Sequence, residues 1–216
     1  MDSAQKGISL ISMMIGLLLA SLVMLAMMFA YRAVVRNGMQ AIINGRMATE
    51  SAGSLLVAES SLQQAGWGIG ASLAPPGAAA NTDVVLLSGA TYNGSALTGA
   101  VQTITSSPAS GNAIVWDESL NGYEECSALV ASGNGLQKLG PVACGNAASF
   151  SGLSWSNPVM LVQAGVLSAP ATFAVSRMTC WPFSAAPNGA AQNVVQVTIG
   201  GIGLSSPSVC LVNVTH

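Results

Sequence analysis

Residues 8–30 read ISLISMMIGLLLASLVMLAMMFA, 23 consecutive positions without a charge. Wound as a helix they span about 35 Å, enough to cross the hydrocarbon core of a bilayer. A secretory signal peptide needs a basic n-region, an apolar stretch of roughly 7 to 15 residues and a small-residue cleavage site. This run is longer, and the only basic residue before it is Lys6. A retained helix that buries itself in lipid, in an assembly, or in both is therefore expected.

Past Ala30 the helical pattern continues and turns amphipathic. Tyr31, Val35, Met39 and Ile42, then Leu55 and Leu62, recur near three- and four-residue steps, with Arg36, Arg46, Glu50 and Glu59 between them. Asn37-Gly38 and Asn44-Gly45 interrupt it, and each glycine weakens a helix by up to about 1 kcal/mol relative to alanine, so a bend or soft spot is expected there. Gly66, Gly68 and Gly70 end the pattern. One helix over about Ile8 to Ala65 follows, roughly 87 Å long: a membrane or filament half over 8–30 and an amphipathic half over 31–65. Residues 66–82, with Pro75-Pro76, read as a linker or surface loop.

From Asn81 the period changes to short β-like runs. Strands are expected at Asp83–Leu87, Ala100–Thr105, Ala113–Trp116, Ser127–Ala131, Val159–Gln163, Thr172–Val175, Val194–Ile199 and Cys210–Val214. Asn93-Gly94, Asn121-Gly122, Asn134-Gly135 and Asn188-Gly189 are hairpin dipeptides, and no second long helical pattern supplies crossovers, so antiparallel pairing is expected. The predicted fold class is α+β: a long N-terminal helix packed on a mainly antiparallel, disulfide-bonded β head over residues 83–216.

Composition narrows the function. Only 6% of residues are charged, against roughly 25% in ordinary soluble domains. Six basic against eight acidic residues, with no basic run, give no footing for a nucleic-acid partner. The single histidine is His216, which removes internal imidazole pairs, Ser-His-Asp arrangements and most zinc sites. No enzyme, cofactor or metal is expected. Asp117-Glu118 and Glu124-Glu125 fit no EF-hand spacing and read as solvated turn residues. The methionines Met13, Met14, Met24, Met27 and Met28 read as flexible packing, and Trp67, Trp116, Trp155 and Trp181 as core or interface aromatics.

Arg32, Arg36 and Arg46 follow the apolar run, which by the positive-inside rule would place the C-terminal side in the cytoplasm. All four cysteines lie in the distal part without Cys-x-x-Cys spacing, which argues for an oxidising, extracytoplasmic head. The cysteines carry more weight, because a short-loop charge count is only a bias. Of three possible pairings the sequence-near one is expected, Cys126–Cys144 with Cys180–Cys210, since each bridge then closes one local excursion. Each would contribute roughly 3 kcal/mol.

The opening MDSAQKG followed by ISLIS resembles a type IV prepilin leader, a short polar peptide ending in Lys6-Gly7 before an apolar helix. Further on, NGRMATESAGSLLVAESSLQQAGWG is similar to the Asn-x-Arg, Leu-x-x-x-Leu and Ala-Gly-aromatic series of PilW-type minor pilins. Together they cover Lys6 to Gly68. The resemblance implies a leader over residues 1–7, cleavage after Gly7 by the prepilin peptidase, and N-methylation of Ile8. It also implies the bacterial inner membrane before assembly, other major and minor pilins as partners in an extracellular pilus, and a role in pilus assembly and surface attachment or motility. Ser12 stands at the fifth mature position, where most pilins carry Glu. Serine cannot neutralise a neighbouring amino terminus in an apolar shaft, which fits a subunit at the filament tip or, alternatively, drift in a divergent paralogue. A type II secretion pseudopilin shares the architecture, and a membrane-anchored adhesin is the reading from another class.

Overall fold

The computed structural model describes residues 10–69, 83–120, 122–133, 135–163, 167, 169–178, 194–200 and 206–215. The fold is α+β. Helix α1 runs over Leu10–Gln63. The strands are β1 Val84–Tyr92, β2 Leu97–Gln102, β3 Ala109–Gly111, β4 Ala113–Glu118, β5 Glu125–Ser132, β6 Gly135–Ala143, β7 Val159–Val162, β8 Thr172–Met178, β9 Val194–Gly200 and β10 Ser208–Thr215. A short 3-10 helix covers Ala147–Gly152. The helix passes Asn37-Gly38 and Asn44-Gly45 without a break in its assignment. Met, Ala, Ile and Arg around them are tolerable to good helix formers, and isolated glycines in such company lower stability without ending the element.

The chain divides into two compact units, Met1–Met47 and Ala48–His216. In the second unit the strands form a six-stranded sheet ordered β2-β1-β4-β5-β6-β7 and a four-stranded sheet ordered β10-β9-β8-β3. Every described pairing is antiparallel. Side chains alternate across a strand, and here both faces of the larger sheet are covered. Val84, Leu86, Ile114, Trp116, Leu129 and Leu136 join Phe173, Val175, Val197 and Leu211 of the smaller sheet in one core. Val85, Leu87, Ala113, Val115, Ala128, Val130 and Leu139 form a second core, closed by Ala147 and Phe150 of the 3-10 helix and by Trp155. Burial on two faces is why VVLL in β1, AIVW in β4 and ALVA in β5 are continuous apolar runs rather than alternating ones.

The end of α1 belongs to the first core. Ala58, Leu62 and Ala65 are buried there, with Leu55 packed against them. Polar contacts fix the rotation of this face: Ser54 Oγ donates to Leu161 O, Lys138 Nζ donates to Ser61 Oγ at 3.1 Å, and Asn213 Nδ2 donates to Gln63 O at 3.4 Å. The stretch Gly66–Ile69, the start of the expected linker or surface loop, is a turn whose backbone bonds to the end of β4. Gly66 N–H donates to Asp117 O at 2.8 Å, and Ser119 N–H donates to Trp67 O at 2.7 Å. Residues 70–82, the rest of that expected linker, lie outside the described residues.

Two strands carry no legible sequence signal. Ala109–Gly111 is too short to show a period. Gly135–Ala143 contains Gly140 and Pro141, which argue against a strand. The pairing absorbs them with a register shift between Cys126 and Ala128, opposite Gly140, whose φ of 85° and approach to Cys126 O leave no room for a side chain.

Gly66 has φ 72°, and a Cβ built there would meet Asn213 O at 2.8 Å. Gly66→Ala is expected to destabilise the head by about 1–3 kcal/mol. In contrast, Gly53→Ala, inside α1 with open space around it, is expected to be neutral or to stabilise by up to about 1 kcal/mol. Urea unfolding of the detergent-solubilised chain, followed by tryptophan fluorescence, checks both.

Candidate functional site

From Leu10 to Met47 every residue of α1 is exposed within the chain. The exposed side chains include Leu17, Leu18, Leu22, Leu25 and Phe29, together with Met13, Met14, Met24, Met27 and Met28. A helix apolar all round has to bury its surface in lipid or against other helices. By length and composition α1 is apolar enough to cross a membrane near its N-terminal end. Tyr31, Val35, Met39 and Ile42, read as one side of an amphipathic continuation, are exposed as well. Of that reading's apolar positions only Leu62 is fully buried and Leu55 partly so.

Ser12 lies on this exposed surface, in the first turns of α1. Gly7 and Ile8, the expected cleavage point and mature N-terminus, lie outside the described residues. Cys126 and Cys144 are bridged. Cys126 faces Val142 across the β5–β6 pair, and Cys144 N–H donates to Glu124 O at 3.2 Å, so the bridge ties the open end of that hairpin. Cys210 is also disulfide-bonded; Cys180, its expected partner, lies outside the described residues, as does Trp181. Trp116 and Trp155 are buried, one in each core, whereas Trp67 is 56% exposed.

The expectation that Asp117-Glu118 forms a solvated turn is overturned. Both residues close strand β4 and are only 2% exposed. Their burial follows from what covers the strand end: the Gly66–Ile69 turn docks on its backbone and the 3-10 helix starts beside it. The two side chains point to opposite faces. Glu118 Oε1 accepts from Ser127 Oγ at 3.0 Å, while Asp117 Oδ2 accepts from Ala147 N–H at 3.3 Å. Among the described residues, Asp117 Oδ1 and Glu118 Oε2 have no hydrogen-bond partner. Burial foremost, then the charges of Asp83 and Glu124, push the Asp117 carboxyl up to about 8, against the opposing pull of the Ala147 N–H. Glu124 is exposed and Glu125 half-buried.

Among the described residues no group of three or more His, Cys, Asp or Glu side chains is placed to hold a metal ion. A groove of about 450 Å³ runs between Thr49, Glu50, Gly53 and Val57 of α1 and Met160–Gln163. Among its described lining residues Glu50 supplies the carboxylate, with Thr49 and Ser54 as hydroxyls. The residues that sequence reasoning missed are structural in kind: Ser54, Lys138, Asn213 and the buried Asp117. Only Asp117 left a trace, since Asp-Glu directly continues the apolar run AIVW. No family model, curated protein or solved structure matches the chain.

Asp117 generates a pH prediction with a definite sign. Folded, it holds its proton to about pH 8, whereas in the unfolded chain it releases it near pH 4. Between those values the folded state binds the extra proton, so the contribution of Asp117 to stability falls as pH rises and levels off above about 8. Asp117→Asn removes this slope while keeping an acceptor for Ala147 N–H. Urea unfolding at a series of pH values should show the variant gaining on the wild type from about pH 4 to 8, with a constant difference beyond.

Proposed function

We propose that this chain is a minor pilin of a type IV pilus, similar to PilW-type subunits, acting as an assembly subunit at the filament tip. The observation that carries the reading is α1: one helix over Leu10–Gln63, uncharged as far as Tyr31 and exposed as far as Glu50, with Ala58, Ser61 and Leu62 of its last turns buried. Such an element serves two environments in turn. Stored in the bacterial inner membrane, its apolar surface is covered by lipid; on assembly it exchanges lipid for the helices of other pilins, and the head travels with it to the cell surface. The leader over residues 1–7 and the Asn44–Gly68 series support the same reading from sequence, and the disulfide-bonded head agrees with an extracytoplasmic location.

Ser12 supports placement at the tip. A subunit in the shaft needs a group that neutralises the amino terminus of its neighbour in an apolar core, and serine offers only hydrogen bonding. At the end of the filament that demand does not arise.

Two measurements test the proposal. Intact-mass analysis of protein from cells with an active prepilin peptidase should give a chain beginning at methylated Ile8; a species retaining Met1 to Gly7, or cleaved beyond Ala30, sinks the assignment. Labelling of the head on wild-type filaments should mark their ends. Ser12→Glu should still insert, because one acid in such a helix costs only about 3 kcal/mol on insertion scales, but it should admit the subunit along the shaft or disturb initiation. Even labelling along wild-type filaments removes the tip placement. Deleting the gene separates the remaining roles: lost filaments indicate assembly, whereas intact filaments that no longer adhere indicate an adhesin.

A further inference from the structure

The exposed unit of α1 is not uniform around its circumference. Leu18, Leu22, Leu25, Phe29, Arg32 and Arg36 follow one another at steps of four, three, four, three and four residues, which puts them on one helix face. Leu25, Met28, Phe29 and Arg32 line a concavity of about 180 Å³ on that face. Its wall is thus apolar along most of its length and cationic at one end. No Asp or Glu occurs between Leu10 and Thr49, so neither Arg32 nor Arg36 has a carboxylate on its own stretch of helix. Both side chains are exposed.

We infer that this face is a binding site for one anionic phospholipid of the leaflet at the C-terminal end of the span, with an acyl chain along Leu25, Met28 and Phe29 and the phosphate held by Arg32 and Arg36. The inference rests on the membrane reading of α1 and adds to it a specific lipid partner. Depth supports it: Leu10 to Phe29 covers about 30 Å as a helix, the thickness of the hydrocarbon core, so Arg32 falls about one turn further, at the level of the headgroups. Chemistry supports it as well. A guanidinium presents a planar fork of donors that matches phosphate oxygens, and two of them four residues apart stack along one face. Arg46 lies ten residues beyond Arg36, about 15 Å further along the axis, out of headgroup reach.

The test uses the full chain in nanodiscs of phosphatidylcholine containing one fifth phosphatidylglycerol, with retained lipids counted by native mass spectrometry after gentle detergent release. Phosphatidylglycerol should be retained over phosphatidylcholine by about fivefold for each arginine. The double variant Arg32→Gln/Arg36→Gln should lose the preference and still insert, while Arg32→Lys/Arg36→Lys should keep most of it. Arg46→Gln should leave it unchanged. The site is overturned by equal retention of both lipids in the wild type, by an unaltered preference in the double Gln variant, or by an equal loss in Arg46→Gln. Vesicle flotation distinguishes the other failure: a chain that floats with no lipid composition removes the membrane reading itself, and the lipid site with it.

Discussion

The burial of Leu62, with Ala58 and Ala65 beside it, in the core shared by both sheets is the contact on which the rest depends. Helices gain most of their stability in proteins from a packed face rather than from propensity, and among the described residues the last turns of α1 supply that face. The contact is made one-sided in register by small groups. Ser54 and Ser61 bond to β7 and β6, and Asn213 donates to the carbonyl of Gln63, the last residue of the helix. Gly66 then turns the chain so that its N–H meets Asp117 O. An alanine-sized addition at that turn would press on the backbone of β10.

That docking also accounts for the two buried acids. A strand that ended in solvent would leave Asp117 and Glu118 hydrated. Here the turn after the helix covers one end of β4 and the 3-10 helix covers the neighbouring face, so a carboxyl is removed from water beside Asp83 and Glu124. Neutralising itself is the least costly response for an acid so placed. The Cys126–Cys144 bridge lies at the open end of the β5–β6 hairpin, and Cys126 is also the strand partner of Asp117.

The first unit of the helix follows a different logic. Nothing in its sequence alternates between core and solvent over residues 10–30, and every one of those residues is exposed within the chain. A surface of that kind is complete only with lipid or with other helices around it. Ser12 and Ser21 interrupt this surface within residues 10–30, and Arg32 and Arg36 follow just beyond it.

Much of this was legible in the residues themselves. The glycines at 66 and 68 set the C-terminal end of the helix within two residues of its last residue, Gln63, because backbone punctuation is a local property, while the expected start at Ile8 lies outside the described residues. Eight strands were visible as β-branched or apolar runs bounded by Gly, Asn and Pro, and the hairpin dipeptide Asn134-Gly135 falls at the β5–β6 connection, which the Cys126–Cys144 bridge closes. Strands β3 and β6 were not, since three residues show no period and Gly140-Pro141 is a breaker unless a partner strand bulges to accept it. The burial of Asp117 and Glu118 was misread for the same reason: charge type says what a side chain prefers, while its surroundings come from distant segments, Ala147 lying 30 positions from Asp117 and Gly66 lying 51 from it. Sequence by itself determined the helix and the β class of the head, which follow from local periodicity, and the apolar surface of the first unit, which follows from its uncharged composition. Only the tertiary structure decided which sheet each strand joined, how the helix end was seated and which acids lost their water, because those outcomes depend on contacts between residues far apart in the chain.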